Sequence, residues 1–280
     1  MHYTNYLRWG VLAGIFLVPF IPFIIAQGVQ FPALFFPYIT GKNFAFRLVV
    51  EAVFILWALL ALKDPKYRPR GSWIMWTAAA FVCWMAVATA LSVDPLKSFW
   101  SNFERMEGFV GLAHLFLWFV VAGVMLSAEK LWERFINTSI VASAGMGLYA
   151  LFQVTHSLGF APTSQSGSRA DTSFGNATYL AVYLLMHAFL ILFMLARRQH
   201  RSGVQMLYGL ALTLDLVGLY FTETRGAILG FLGGIMIAAL WLAWRSRGAE
   251  WGGMRRYAIG GIVAVVVLAG GFYALRNTAL

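Results

Sequence analysis

Nine runs of roughly 19 or more mostly apolar residues follow one another along the chain, with short polar connectors between them. They fall at about 7–26, 44–62, 73–93, 109–128, 136–158, 178–196, 204–222, 226–244 and 257–275. A helix of about 20 apolar residues crosses the hydrocarbon core and satisfies its own backbone hydrogen bonds there. The pattern therefore predicts an all-α, polytopic transmembrane helical bundle of about nine spans. Residues 1–280 form a single transmembrane domain with no soluble domain. The first run contains Pro19 and Pro22 and is followed by bulky residues rather than a small-residue cleavage site, so it is read as a retained helix and not a signal peptide.

Composition agrees with the pattern. Hydrophobic residues make up 60% of the chain and charged residues 11%, with a mean hydropathy of +0.73, more than a soluble core of ordinary size can bury. The basic residues are distributed unevenly among the connectors. With the N-terminus inside, the inner connectors hold fourteen of the 21 basic residues. These include Arg8, the cluster Lys63, Lys66, Arg68 and Arg70, the trio Arg197, Arg198 and Arg201, and Arg245 and Arg247. Cytoplasmic connectors are enriched in this way, which predicts a cytoplasmic N-terminus. The net charge of +10 is thus mainly a topology signal, reinforced by attraction to anionic membrane lipids. It does not point to nucleic acid, whose readers gather basic residues and stacking aromatics on one face. Cys83 is the single cysteine, and the five histidines show no metal-ligand spacing, so no metal or cofactor is expected.

Seven basic residues break the inner pattern: Lys42, Arg47, Lys97, Arg105, Arg169, Arg225 and Arg276. Lys42 precedes the second span. Arg47 and Glu51 stand four apart near its outer end, a spacing that allows an ion pair. Arg105 lies between Glu104 and Glu107 in the aromatic connector 94–108; it is either a solvated interfacial residue or an anion ligand held by carboxylates. The connector 161–178 is the longest and most polar, and its Gly and Ser residues predict turns. Within it Asn176 stands where the sixth span starts and is positioned to cap that helix, with Arg169 nearby for an anion. The connector 221–226 is very short and places Arg225 at the mouth of the eighth span, where Gly230 and Gly234 form a small-xxx-small packing pair. Asp215 and His187, deep in two spans, are candidates to hydrogen-bond to each other.

Three of these stretches carry a resemblance. Thr222-Glu223-Thr224-Arg225-Gly226-Ala227 followed by Leu229-Gly230 resembles the T-x-S-R-G-a-x-L-G signature of the O-antigen ligase and O-antigen polymerase family. Arg169 with Ser173-Phe174-Gly175-Asn176-Ala177-Thr178-Tyr179-Leu180-Ala181 resembles that family's stretch R…x-F-G-N-P-N-Y-L-A, and 94–108, with Ser98-Phe99-Trp100 and Arg105-Met106-Glu107-Gly108, is similar in style. The chain departs from the pattern at Thr224, Ala177 and Thr178. Family members continue into a large external loop with a catalysis-associated His and then further spans, so the chain is expected to be an N-terminal portion.

The resemblance implies a membrane glycosyltransferase. It would move a glycan from a polyprenyl-pyrophosphate donor to an acceptor hydroxyl on a lipid or glycolipid at the periplasmic face. Arg225 and Arg169 would hold the pyrophosphate leaving group, because guanidinium binds phosphate oxygens in pairs and keeps its charge; such stabilisation requires no metal. Sidedness alone adds Lys42, Arg47 and Arg105 as substrate-binding candidates, and Asn176 joins them through its helix terminus. A polymerase using a second glycan, an oligosaccharyltransferase acting on protein hydroxyls, and a flippase for the same lipid-linked glycan remain open.

Overall fold

The computed structural model describes residues 2–26, 37–102, 105–156, 164–197 and 202–245, together with Gly260 and Val263. Among them the regular structure is helical, with no strand. Nine α-helices follow in order: α1 (His2–Leu17), α2 (Thr40–Lys63), α3 (Trp73–Ala90), α4 (Pro95–Trp100), α5 (Phe109–Met125), α6 (Glu129–Thr155), α7 (Ala177–Ala196), α8 (Ser202–Phe221) and α9 (Arg225–Arg245). Among the described residues, six helical segments are long and apolar enough to cross a membrane: Tyr3–Phe23 and helices α2, α3, α6, α7 and α8. This is compatible with a multi-pass membrane protein.

The helices differ from the hydropathy reading in instructive ways. The first run is α1 continued by a tight 3₁₀ segment, Val18–Phe23, which holds Pro19 and Pro22. Neither proline has an N–H for an α-helical bond, so the chain winds more tightly there. Helix α6 starts seven residues before the expected boundary, because Glu129, Lys130, Glu133 and Arg134 lower the local hydropathy without lowering helix propensity. Glu129 in its first turn also meets Arg197, just past the end of α7. Helix α5, at 17 residues, and the apolar part of α9, Arg225–Trp241, are shorter than a full span. The ninth expected span, 257–275, lies outside the described residues apart from Gly260 and Val263.

The core divides into two halves. In the first, Leu7, Val11 and Ile15 of α1 pack on Val53, Trp57 and Leu60 of α2 and on Val121 and Met125 of α5. In the second, Met146 and Ala150 of α6, Leu180 and Leu184 of α7, Leu219 of α8 and Ala227 of α9 form a common cluster, extended by Ile140, Ile191, Met194, Tyr208 and Ala211. Helices α6 and α8 meet backbone to backbone: a Cβ on Gly147 would stand 2.6 Å from the Leu214 carbonyl oxygen, and one on Gly218 would stand 3.3 Å from the Gly147 Cα. Small residues allow this approach in membrane bundles. Gly234 packs on Phe189 of α7, where an added Cβ would come within 2.4 Å of the ring. Phe16 and Phe135 join the halves edge to face, with centroids 5.9 Å apart.

The buried polar residues of the second half do not pair as their sequence positions suggested. The Asp215 carboxylate accepts from Ser143 Oγ at 2.9 Å, while His187 Nε2 lies 2.8 Å from Ser139 Oγ. Both partners lie on α6, one turn apart. The α6–α8 contact brings Ser143 opposite Asp215, and the α6–α7 contact takes His187 to the turn before it.

Candidate functional site

Four connectors gather at one end of the bundle, and a small set of side chains fixes them to one another. The connector after α6 is organised around Asp171, which is 1% exposed. Its Oδ2 accepts from the backbone N–H groups of Gln165 at 2.7 Å and Ser166 at 2.9 Å. Its Oδ1 accepts from Gln153 Nε2 at 3.1 Å. Gln153 Oε1 in turn accepts from the backbone N–H groups of Asp171 at 3.1 Å and Thr172 at 2.9 Å. A buried carboxylate is tolerable only with such donors around it. The result is a loop fixed in one shape by two side chains.

That shape sets the position of Arg169. Its Nε donates to the Thr222 carbonyl at 2.8 Å and its Nη2 to Thr224 Oγ1 at 2.9 Å. The backbone follows the same path, with the Ala170 N–H donating to the Phe221 carbonyl at 2.9 Å. Two of the five guanidinium donors are thereby used. Arg225, the first residue of α9, stands next to Thr224; it is exposed and makes no hydrogen bond or ion pair among the described residues. Thus Arg169 is bonded to the residue that precedes Arg225, 55 positions away in sequence, beside the positive end of a helix.

The Phe174-Gly175-Asn176 stretch has a local reason for each residue. The Phe174 ring packs on Tyr183, centroids 5.2 Å apart. Gly175 has φ +61°, and a Cβ there would stand 2.4 Å from Tyr38 Cγ, so only glycine fits. Asn176 caps α7: its side-chain oxygen accepts from the N–H groups of Thr178 at 2.8 Å and Tyr179 at 3.4 Å. The side-chain oxygen is committed to the helix.

The remaining candidates occupy the adjoining half of this end. Lys42 Nζ donates to the carbonyls of Tyr38 at 2.7 Å and Ser173 at 2.5 Å, and lies 5.7 Å from the centre of the Phe174 ring. It ties the start of α2 to the loop of Asp171, using two of its three ammonium protons among the described residues. Ser173 Oγ adds a bond to the Pro22 carbonyl at 2.6 Å. Arg47 donates from Nη2 to the Met106 carbonyl, and Asn43 Nδ2 donates to the Arg105 carbonyl at 2.9 Å. The Arg105 side chain is exposed. Arg47 does not form the ion pair that its spacing from Glu51 suggested; Glu51 lies 3.0 Å from His114 Nε2 instead. A cavity of about 360 Å³ opens beside Arg47, with Asn43, Glu107 and Gly108 at its rim and Leu112 and Leu115 below. The Tyr38 phenol is held above its ordinary value near 10, first by burial and then by the negative charge of Asp171.

Backbone strain marks the same end. Among the described residues, the non-glycine residues with positive φ are Ser101 (63°), Met106 (53°), His156 (51°), Thr172 (47°) and Glu223 (50°). All five lie in the connectors of this end, and Thr172 is β-branched and buried. Such conformations cost of order 1–3 kcal/mol each and persist where surrounding contacts enforce them, often at functional sites. Asp171, Gln153 and Tyr38, which hold the site, carry no local sequence signal; Gln153 and Asp171 become partners only when α6 and the loop after it are folded together. No protein-family model matches the chain, and no curated protein or solved structure matches it.

Proposed function

We propose that the chain is a multi-pass membrane glycosyltransferase of the O-antigen ligase type, with its active face on the end that gathers Arg169 and Arg225. The reading takes about nine spans and a cytoplasmic N-terminus in a bacterial inner membrane, which puts this face on the periplasmic side. The observation that carries it is the fork of Arg169 on Thr222 and Thr224, one residue from the exposed Arg225. Two guanidinium groups and a helix N-terminus form a pre-set receptor for a phosphate-bearing group. The substrate suited to this receptor is a polyprenyl pyrophosphate bearing a glycan, its polyprenyl tail in the bilayer and its charged head at the connectors.

In the reaction, the acceptor hydroxyl oxygen forms a bond to the anomeric carbon of the glycan. The bond from that carbon to the pyrophosphate oxygen breaks, and its electron pair leaves with the pyrophosphate; the hydroxyl proton passes to a base or to water. Arg169 and Arg225 stabilise the charge that develops on the leaving oxygens, a contribution that is largest in a dry, pre-organised site. Lys42, Arg47 and Arg105 add positive potential on the adjoining half, where the cavity beside Arg47 offers room for a sugar.

The test is glycan transfer from a purified polyprenyl-pyrophosphate donor by the full-length protein, beside Arg169→Ala and Arg225→Ala. Release of polyprenyl pyrophosphate by the unmodified protein, and loss of at least 100-fold in both variants, is the expected result for removal of a transition-state charge partner. Movement of the donor across a vesicle membrane without bond cleavage would replace this reading by a flippase.

A further inference from the structure

At the opposite end of the bundle lies a second cavity, of about 430 Å³, between the connector that follows α2 and the surface of α5. Its charged wall is Lys66, Arg68 and Arg70, and no carboxylate lines it. Asp64, two residues before Lys66, accepts from the Lys66 backbone N–H at 2.9 Å. Arg68 is held by its Nε, which donates to the Ala61 carbonyl at 3.2 Å, and its two terminal nitrogens make no hydrogen bond or ion pair among the described residues. Ser72 caps the start of α3 at the same mouth, through Met75, and adds the positive end of a helix to the three cations.

The opposite wall is apolar. Phe119, Val120 and Val124 of α5 face the cavity, and between them Gly123 leaves a gap: a Cβ there would meet no atom within 4 Å. The groove opens toward α3, none of whose residues is buried. Trp73 and Trp76, 88% and 62% exposed at the first turn of α3, are the residue type that settles at the level of lipid head groups. A cationic pocket at the interface, continued by an apolar groove toward the bilayer interior, matches one ligand chemistry: a phosphodiester carrying acyl chains.

We propose that this cavity binds an anionic glycerophospholipid. Its phosphodiester sits among Lys66, Arg68 and Arg70, and one acyl chain runs along α5 past Gly123. The site is separate from the proposed donor site: α2, which carries Lys42 near its start, runs from Thr40 to Lys63 over 24 residues, roughly 36 Å of helix. A lipid whose pyrophosphate reached Arg169 would not place its phosphate here. The proposal does not depend on the proposed catalytic activity.

The test is native mass spectrometry of the full chain released from nanodiscs containing phosphatidylglycerol and phosphatidylcholine of matched acyl chains. The expected result is one retained phosphatidylglycerol in preference to phosphatidylcholine. Each of Lys66→Ala, Arg68→Ala and Arg70→Ala should weaken retention about fivefold, the effect of one basic residue near an anionic lipid. Gly123→Leu removes no charge and adds a side chain where there is space, so the protein should fold normally yet lose the lipid by closing the groove. Lys130→Ala with Arg134→Ala, in the first two turns of α6, should leave retention unchanged. Equal retention of the two lipids would overturn the proposal, as would undiminished phosphatidylglycerol on the Gly123→Leu protein. Displacement of the lipid by millimolar glycerol 3-phosphate would overturn it too, by showing a site for a free anion.

Discussion

Asp171→Asn is a nearly isosteric change whose effect follows from counting donors and acceptors. In the native loop the carboxylate faces three N–H donors, those of Gln165, Ser166 and the Gln153 side chain. Asparagine offers one oxygen and one NH₂. If the oxygen keeps the Gln165 and Ser166 amides, the new NH₂ meets the Gln153 Nε2. Turning Gln153 over does not help, because its Oε1 already accepts from the backbone of Asp171 and Thr172; the turn would set its NH₂ against both. Every arrangement therefore leaves donors facing donors. Hydrogen bonds to a charged group contribute about 1.5–3 kcal/mol each, so the loop should lose about 2–4 kcal/mol of local stability. That corresponds to an opening equilibrium raised roughly 30- to 1,000-fold. Hydrogen exchange of the chain in nanodiscs reads it directly at four amides, those of Gln165, Ser166, Asp171 and Thr172. Their protection should fall by that factor while amides within α6 and α8 keep theirs. Unchanged protection at all four would refute the account of the loop as a shape fixed by Asp171 and Gln153.

Other predictions address the remaining contacts. Arg169→Lys keeps the charge but has a single nitrogen in place of the fork, so glycan transfer should fall at least tenfold, with Thr224→Val falling less; a Lys variant as active as the unmodified protein would remove the fork from the mechanism. Gly175→Ala should lower stability by about 2–4 kcal/mol, through a left-handed φ of +61° and a collision with Tyr38, read as a lower thermal midpoint in detergent. Ser143→Ala leaves the Asp215 Oδ2 without its hydroxyl donor and should cost about 1–3 kcal/mol in the same assay. Gly147→Val should separate α6 from α8 and abolish the native thermal transition, whereas Gly209→Val, where an added Cβ meets nothing within 4 Å, should not.

Much of this molecule is written in its hydropathy. The helices α2, α7, α8 and α9 start within a few residues of the expected spans, because an uninterrupted apolar stretch has no alternative to helix in lipid. The cap at Asn176 was legible as well, since it depends on the two residues that follow it. What could not be read was any pairing set by the register of two helices. Glu51 was expected to meet Arg47, four residues away, but His114 of α5 stands closer. Asp215 finds Ser143 because Gly147 and Gly218 fix how far α8 slides along α6, and His187 finds Ser139 through the separate contact of α7 with that helix. Lys42 was legible as an outward cation, yet its use as a brace to Ser173 depends on a contact across 131 positions. For Arg169, the sequence located the residue in a polar connector. Its partners Thr222 and Thr224 were quoted only as part of another motif, and the link between the motifs is three-dimensional.

The contact of α6 with α8 at Gly147 and Gly218 has a mechanical consequence. Two helices whose backbones touch cannot slide or tilt against each other without losing the fit, so the pair moves as one stiff plate. If the proposed lipid-linked donor enters between helices, it does so where the fit is looser. The seam between the two halves is such a place, spanned by Phe16 on Phe135 and fastened at one end by Lys42 and Ser173. The fastening lies beside Phe174 and Gly175, in the same loop that carries Arg169. Widening the seam would therefore pull on the loop that orients the guanidinium, which makes the route of entry and the alignment of the charged head parts of a single movement.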